Sequence, residues 1–321
     1  MASLLGLIQA QHNVSLKPFT TLKAGGPAEM FYVARSVEEL AQVSLEAQRT
    51  GVHTTLLGWG SNVLPSDDGV PGLCLVNNAR SIEVLGDGEV LADTGCGFQE
   101  LFLKTLQAGL RGLEFAVGIP GTLGGALVSN AGAYRSQVSE FLIALEIVCE
   151  GERQWVDPSW MGFSYRDSRL RQVEPIQCTL LRVKMKLPTG DPRPGYEEAR
   201  DYQRQRISKQ PPPASAGSFF KNVVDANLAE ALDTLPPRLK EAGVVPAGYL
   251  IEKSGLIGCR LGGAMFASRH ANFIVNVGNA SATDIRRLAT LARKTVYEKF
   301  GVEIEEEVLY IGDWSRYGQA S

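Results

Sequence analysis

The chain has 321 residues, more than one ordinary core accommodates, so two or three domains are expected. Its 44% apolar and 21% charged residues fit a soluble globular protein and exclude a disordered one. A formal net charge of −3 argues against a general nucleic-acid binder while leaving room for a local basic pocket.

The N-terminal segment MASLLGLIQAQHNVSLK lacks the basic stretch and long apolar run of a secretory signal. Ser36 to Glu39 matches a capping box, and Leu40, Val43 and Ala47 follow at helical spacing before Gly51. Thr54 to Leu57 predicts a short strand ending in the turn Gly58-Trp59-Gly60. Short strands are expected from Ser81 to Thr94 and from Leu145 to Val156. Between them, Phe98, Leu101, Phe102 and Leu106 mark a helix that stops near Gly109. Thr179 to Leu187 alternates as a strand, with Leu181, Val183 and Met185 on one face.

A proline- and glycine-rich break spans 188–195. A charged helix is expected from Glu197 to Ile207, and a second break falls at Pro211-Pro212-Pro213. Ser281 to Asp284 opens an amphipathic helix with Ile285, Leu288, Ala289, Ala292 and Val296 on its inner side. These elements predict an α+β protein.

The uncharged stretch from Phe115 to Tyr134 is long enough to suggest a membrane span. Its five glycines and one proline make it a folded glycine-rich loop instead. Cys74, Cys96, Cys149, Cys178 and Cys259 are dispersed and form no CxxC pair, which fits reduced thiols in a reducing compartment. His12, His53 and His270 are scattered too, so no metal site is expected.

Five segments could carry chemistry. In Gly58-Trp59-Gly60-Ser61-Asn62, small residues allow close backbone approach and an anion-binding nest, although a strand-to-loop turn explains the motif as well. Gly118-Ile119-Pro120-Gly121-Thr122-Leu123-Gly124-Gly125-Ala126, followed by Asn130, can wrap a diphosphate with backbone donors; a tightly packed core bend is the alternative. Arg166, after Tyr165, could hold a carboxylate through two N–H bonds or form a surface pair with Asp167 or Asp201. Ser218, between Gly217 and two phenylalanines, suits a dry pocket or a helix N-cap. Glu305-Glu306-Glu307 reads by itself as a solvated acidic run.

In order along the chain, TTLKAGGPA from Thr20, GWGSN with Asp67 and Gly72, the GIPGTLGGA loop with NAGAY, and Ser164-Tyr165-Arg166 resemble the UDP-N-acetylenolpyruvoylglucosamine reductases. The match continues through Ser208-Lys209-Gln210-Pro211, AGSFFKN, His270-Ala271-Asn272-Phe273 and Glu307 to Gly312. The resemblance covers roughly residues 14 to 312. It implies a two-lobed FAD-binding fold of the vanillyl-alcohol-oxidase and carbohydrate-oxidase type plus an α+β substrate-binding domain. The expected divisions are 1–78, 79–205 and 206–321.

The resemblance also implies FAD, NADPH as reductant, and reduction of an enolpyruvyl ether on a UDP-sugar during peptidoglycan precursor synthesis. Neither glycine loop holds a histidine or cysteine to tether a flavin, so the FAD is expected to be noncovalent. Arg166, Ser218 and Glu307 fall at the catalytic positions. Cofactor contacts fall on Gly58, Gly60, Ser61, Asn62, Gly118, Ile119, Pro120, Gly121, Thr122, Gly124, Gly125, Ala126 and Asn130, and Arg206 is a candidate for an additional flavin or phosphate contact. Substrate contacts fall on Tyr165, Lys209, Lys221 and Asn222.

Two departures are visible: Leu309 stands where the family commonly has arginine, and only 51 residues separate Arg166 from Ser218. The short spacing implies the subclass without a lid tyrosine. The expected protein is a cytoplasmic monomer that neither enters a membrane nor binds nucleic acid. A flavin oxidase of the same fold and a non-catalytic nucleotide-sugar binder are the competing readings.

Overall fold

The computed structural model describes residues 9–171 and 176–317. The first eight residues of the segment considered above as a leader lie outside the described residues. The chain forms two compact units. One comprises Met1–Val14, Ala28–Gly60 and Val70–Ser208; the other comprises Ser15–Pro27, Ser61–Gly69 and Lys209–Ser321. Both mix helices and strands, as the α+β reading requires.

The first unit holds a two-stranded sheet, Gly132–Ala133 with Ser136–Gln137, and two larger sheets. One is four-stranded, in the order Gln11–Ser15, Pro27–Ala34, Val70–Asn77, Thr54–Leu57. The other is antiparallel and five-stranded, in the order Glu152–Val156, Leu142–Cys149, Cys178–Lys186, Glu89–Asp93, Ile82–Gly86. The helix Val37–Arg49 starts where Ser36 accepts the Glu39 N–H at 3.2 Å. Its Leu40, Val43 and Ala47 pack with Met30, Leu73 and Leu75 of the first sheet and with Val148 and Leu181 of the second. The helix Phe98–Gln107 instead buries Phe98, Leu101, Phe102 and Leu106 with Val90, Leu145 and Ile147. Each such side chain contributes roughly 1.5–3 kcal/mol by leaving water.

The expected common face of Leu181, Val183 and Met185 breaks at Leu181. Glu146 pairs with Arg182 and Ile147 pairs with Leu180, so Leu181 is the extra residue of a bulge. One extra residue reverses the alternation. Accordingly Leu180, Val183 and Met185 join the Phe98 cluster, whereas Leu181 joins that of Leu40. Thr94 covers the bulge: its N–H donates to Leu181 O at 3.0 Å and its hydroxyl to Leu180 O at 2.6 Å.

The same ladder corrects the reading of five reduced thiols. Cys149 and Cys178, 29 positions apart, are direct cross-strand partners and form a disulfide. Cys74, Cys96 and Cys259 are free thiols. A second correction concerns the break at 188–195, because the helix that follows already begins at Pro192 and runs to Lys209. Proline is tolerated in a first turn, whose N–H groups have no intrahelical acceptor, and the Asp191 carboxylate takes the Arg193 N–H at 3.0 Å.

In the second unit a small sheet runs in the order Ala214–Ser215, Ile274–Asn276, Ala264–Phe266, Arg260–Leu261. The helix Ala282–Phe300 begins with a capping box between Ser281 and Asp284. It packs Ile285, Leu288, Ala292 and Val296 into one core with Phe219, Phe220, Leu250 and Phe266. Asp67, which follows the GWGSN motif, accepts the Ala282 and Thr283 N–H groups at 2.9 and 2.8 Å and so places a carboxylate at that helix's positive end. Gly26 packs against the same segment; a Cβ there would lie 2.4 Å from Asp67 O, which only glycine avoids.

Among the described residues, no helix is long and apolar enough to cross a membrane, and no three His, Cys, Asp or Glu side chains group as metal ligands.

Candidate active site

The GWGSN motif crosses from one unit to the other after Gly60, so its residues are described in two places. In the first unit, Gly58 lies against the GIPGTLGGA loop. A Cβ on Gly58 would stand 2.3 Å from Thr122 Oγ1, so the two glycine motifs touch through a contact that excludes any side chain. Thr122 also caps the helix Leu123–Val128 by accepting the Gly125 N–H at 3.2 Å.

The loop spends most of its donors internally. Leu123 N–H goes to Cys96 O at 2.9 Å and Gly124 N–H to Thr94 O at 2.7 Å. Gly118 N–H goes to Gln99 Oε1 and Ile119 N–H to Ala116 O, both at 3.0 Å. The Gly121 and Thr122 amides have no acceptor among the described residues. The loop is therefore a packed bend that leaves two adjacent N–H donors open. Thr94 and Gln99 are supports that sequence reading missed, because neither belongs to a motif.

Arg206 closes the other side: its Cδ lies 2.9 Å from where a Gly118 Cβ would stand. Its buried Nε has no partner, and its guanidinium sits 5.8 Å from the Tyr134 ring. Burial lowers its pKa from the ordinary arginine value, so the group welcomes an anion. Tyr134 stacks on Tyr202 with 3.6 Å between ring centroids. Asn130 gives its Nδ2 hydrogens to Ser164 O at 3.0 Å and Gln137 Oε1 at 3.2 Å, while its buried Oδ1 accepts none. An orphaned acceptor, an orphaned guanidinium nitrogen and two open amides beside a glycine cradle fit a flavin dinucleotide, which brings imide N–H and diphosphate oxygens.

Tyr165 and Arg166 form the tip of a tight turn in which Ser164 and Asp167 exchange backbone hydrogen bonds at 3.2 and 3.3 Å. Arg166 has φ 55°, a left-handed conformation that costs a bulky residue on the order of 1 kcal/mol. Its guanidinium donates to Asn130 O at 3.4 Å and to Gly132 O. Asp167 faces Arg171 at 3.8 Å, and Asp201 faces Arg204 at 3.5 Å.

In the second unit a miniature ladder assembles residues distant in sequence. Glu307 N–H donates to Phe219 O and Lys221 N–H to Glu305 O, both at 2.8 Å, around a bridge between Phe220 and Glu306. Ser218 and Glu307, 89 positions apart, are thereby held on adjoining backbone. Asn62 Nδ2 donates to Glu307 O at 3.0 Å, and Asn62 O takes the Leu309 N–H at 3.0 Å. Thr21 Oγ1 donates to Ser61 O at 3.4 Å.

Ser218 starts no helix; the next one, Ala226–Ala231, is capped by Asp225. The N-cap alternative fails. The solvated acidic run fails as well. Only Glu305 is exposed, and burial raises the Glu306 carboxyl pKa against the opposing pull of Arg293, Tyr310 and Arg286.

Lys221 is buried with its ammonium 2.6 Å from Glu305 Oε1. Asn222 Oδ1 accepts the Ala247 N–H at 3.3 Å. Lys209 lies near enough to His270 for its charge to add to burial in lowering the imidazole pKa. A cavity of about 960 Å³, bordered by Gln48, His53, Gly151 and Gln177, contains none of the candidate residues.

Known proteins resemble this chain over most of its length. Residues 207–311 match the family described as UDP-N-acetylenolpyruvoylglucosamine reductase, C-terminal domain, and residues 28–156 match an FAD binding domain. A UDP-N-acetylenolpyruvoylglucosamine reductase of Synechococcus sp. is 39% identical over 98% of this chain and 94% of its own length. The Bacillus subtilis protein of that name is 35% identical over 94% of this chain and 93% of its own. The crystal structure of such a reductase from Thermus caldophilus superposes with a TM-score of 0.75 at 31% identity, covering 94% of this chain and 98% of that one. The chain belongs to the UDP-N-acetylenolpyruvoylglucosamine reductase family.

Proposed function

We propose that this chain is the NADPH-dependent flavoenzyme that reduces UDP-N-acetylglucosamine-enolpyruvate to UDP-N-acetylmuramate in the cytoplasm, for peptidoglycan precursors. The observation that supports the reading is the ladder that pairs Phe219, the residue after Ser218, with Glu307, because reduction of an enol ether needs a proton donor and a stabiliser of the adjacent carboxylate. FAD, when bound, supplies the two-electron reduction.

Gly121, Thr122, Asn130 and Arg206 hold it, supported by Gly58 and the rest of the two glycine motifs. Ser218 gives a proton to the carbon next to the carboxylate, where negative charge develops. A serine hydroxyl is a weak acid, but the carbanionic carbon is a strong base. Arg166 supplies the permanent positive charge that the developing carboxylate charge requires, and Glu307, if kept protonated, donates a hydrogen bond to it. Tyr165, Lys209, Lys221 and Asn222 hold the UDP-sugar. In this reading residues 1–78 and 79–205 are the cofactor lobes, 206–321 bind substrate, and the protein works as a monomer.

The test is the visible spectrum of the purified protein under anaerobic conditions. NADPH should bleach a flavin band near neutral pH, and the UDP-sugar should restore it. A colourless protein, or a bleached one that the UDP-sugar leaves unchanged, overturns the reading.

A further inference from the structure

Asn272 is 3% exposed, among the few buried polar side chains, and its side-chain amide and backbone oxygen converge on the residues after Ser218. Its backbone oxygen accepts the Phe219 N–H at 2.7 Å. Its Oδ1 accepts the Phe220 N–H at 2.9 Å, and its Nδ2 donates to Phe220 O at 2.9 Å. Its own N–H donates to His270 Nδ1 at 3.3 Å. The side-chain amide therefore acts as a piece of strand, pairing with both polar groups of Phe220 on the side opposite the Glu305–Glu307 ladder.

The consequence for Ser218 is direct. The Phe219 nitrogen belongs to the peptide plane that begins at the Ser218 carbonyl, and that plane is rigid. Fixing the Phe219 N–H fixes the orientation of the Ser218 backbone, and fixing Phe220 prevents the next plane from swinging. Phe219 and Phe220 are 0% and 1% exposed, so water offers these groups no alternative partner.

We infer that Asn272 is a positioning residue for the proton donor Ser218, acting through the peptide groups of Phe220, 52 positions before it in the chain. This rests on the proposed role of Ser218. A hydroxyl misplaced by about 1 Å loses on the order of a hundredfold in rate. Asn272→Ala removes the side-chain clamp and keeps the backbone acceptor for Phe219. Asn272→Asp keeps the acceptor for the Phe220 N–H and loses the donor to Phe220 O.

The test measures both half-reactions by stopped-flow absorbance in Asn272→Ala, Asn272→Asp, Ser218→Ala and the Ser218→Ala/Asn272→Ala double variant. NADPH-driven flavin reduction should stay near the parent rate in all four. Reoxidation by the UDP-sugar should fall about a hundredfold in the Asn272 variants, with a larger solvent deuterium isotope effect on that step alone. The double variant should be no slower than Ser218→Ala, because Asn272 acts through a hydroxyl already absent. Amide exchange at Phe220 should accelerate in Asn272→Ala.

If Ser218→Ala slows reoxidation while both Asn272 variants reoxidise normally, the positioning role is wrong and the Ser218 role stands. If Ser218→Ala itself has no effect, the reading beneath the inference falls. Equal slowing of both half-reactions in the Asn272 variants assigns Asn272 to general stability and overturns the inference. Should Asn272→Ala fail to fold, Asn272→Asp carries the same comparison.

Discussion

The two clusters of candidate residues are built by opposite means. In the first unit the glycine loops work by omission: Gly58 leaves room for Thr122, Gly118 leaves room for Arg206, and the polar groups on offer are mostly backbone. In the second unit a backbone ladder between Phe219–Lys221 and Glu305–Glu307 is braced by particular side chains, the amides of Asn62 and Asn272, and carries Ser218 and Glu307. Dinucleotide phosphates carry full charges and tolerate any N–H donor, so backbone suffices. A proton delivered to one carbon needs a single oxygen at a single point, and side-chain hydrogen bonds supply that placement.

The contrast is tested most severely at Gly58. Gly58→Val places atoms where Thr122 Oγ1 now stands and displaces the cap of the helix Leu123–Val128. Such a variant should purify colourless, with flavin per chain down at least tenfold, while a UDP titration followed by tryptophan fluorescence stays near the parent curve. Gly121→Val should behave alike, because φ 126° is strained for a side chain and its amide is one of the two open donors. Full flavin occupancy in both would place the cofactor elsewhere.

Next in size is Ser218→Ala. NADPH should reduce its flavin at a near-normal rate, and reoxidation by the UDP-sugar should slow by roughly a hundredfold to ten-thousandfold. Ser218→Cys should recover part of the loss, since a thiol is more acidic. Slowing of both half-reactions alike would contradict the division of labour between the units.

Arg166→Lys comes third, at about a hundredfold in turnover, or roughly 3 kcal/mol. Lysine retains the charge but cannot donate to Asn130 O and Gly132 O while presenting a fork to a carboxylate. Steady-state kcat with saturating UDP-sugar checks it, and an unchanged value removes Arg166 from the chemistry.

What the sequence made legible follows the same division. Glycine cradles, helix caps and the Ala282–Phe300 helix depend on neighbours within a few positions, so local patterns reveal them. The Leu181 bulge, the Cys149–Cys178 disulfide and the Asn272 clamp depend on pairing between segments 29 to 52 positions apart or more, and no local pattern encodes register. Ser218 and Glu307 were named because their surrounding motifs resemble those of a family, whereas their juxtaposition needed the Phe219–Glu307 hydrogen bond to be seen. Pro192 misled for a physical reason: proline ends a helix from within and begins one at its first turn, and composition does not distinguish the two.

The smallest expected effect concerns pH and separates the units again. The run from Phe115 to Ala133 contains no charged or histidine side chain, so nothing within that loop titrates. The second unit carries His270, whose imidazole is pushed below its ordinary value of 6.5 first by burial and then by the Lys209 charge. The unfolded chain takes up a proton near pH 6.5, whereas the folded chain resists until a lower pH. Between those values the unfolded state binds more protons, so stability rises with pH across that window. Acidification from pH 7 should therefore lower the melting temperature as it passes below 6.5. His270→Gln should flatten that limb, because glutamine keeps an acceptor for the Asn272 N–H and does not titrate. Flavin retention in the parent, measured by fluorescence over the same range below the melting temperature, should not follow the curve. A His270→Gln profile that parallels the parent's from pH 7 to 5 would show that His270 is not the group whose protonation the fold opposes.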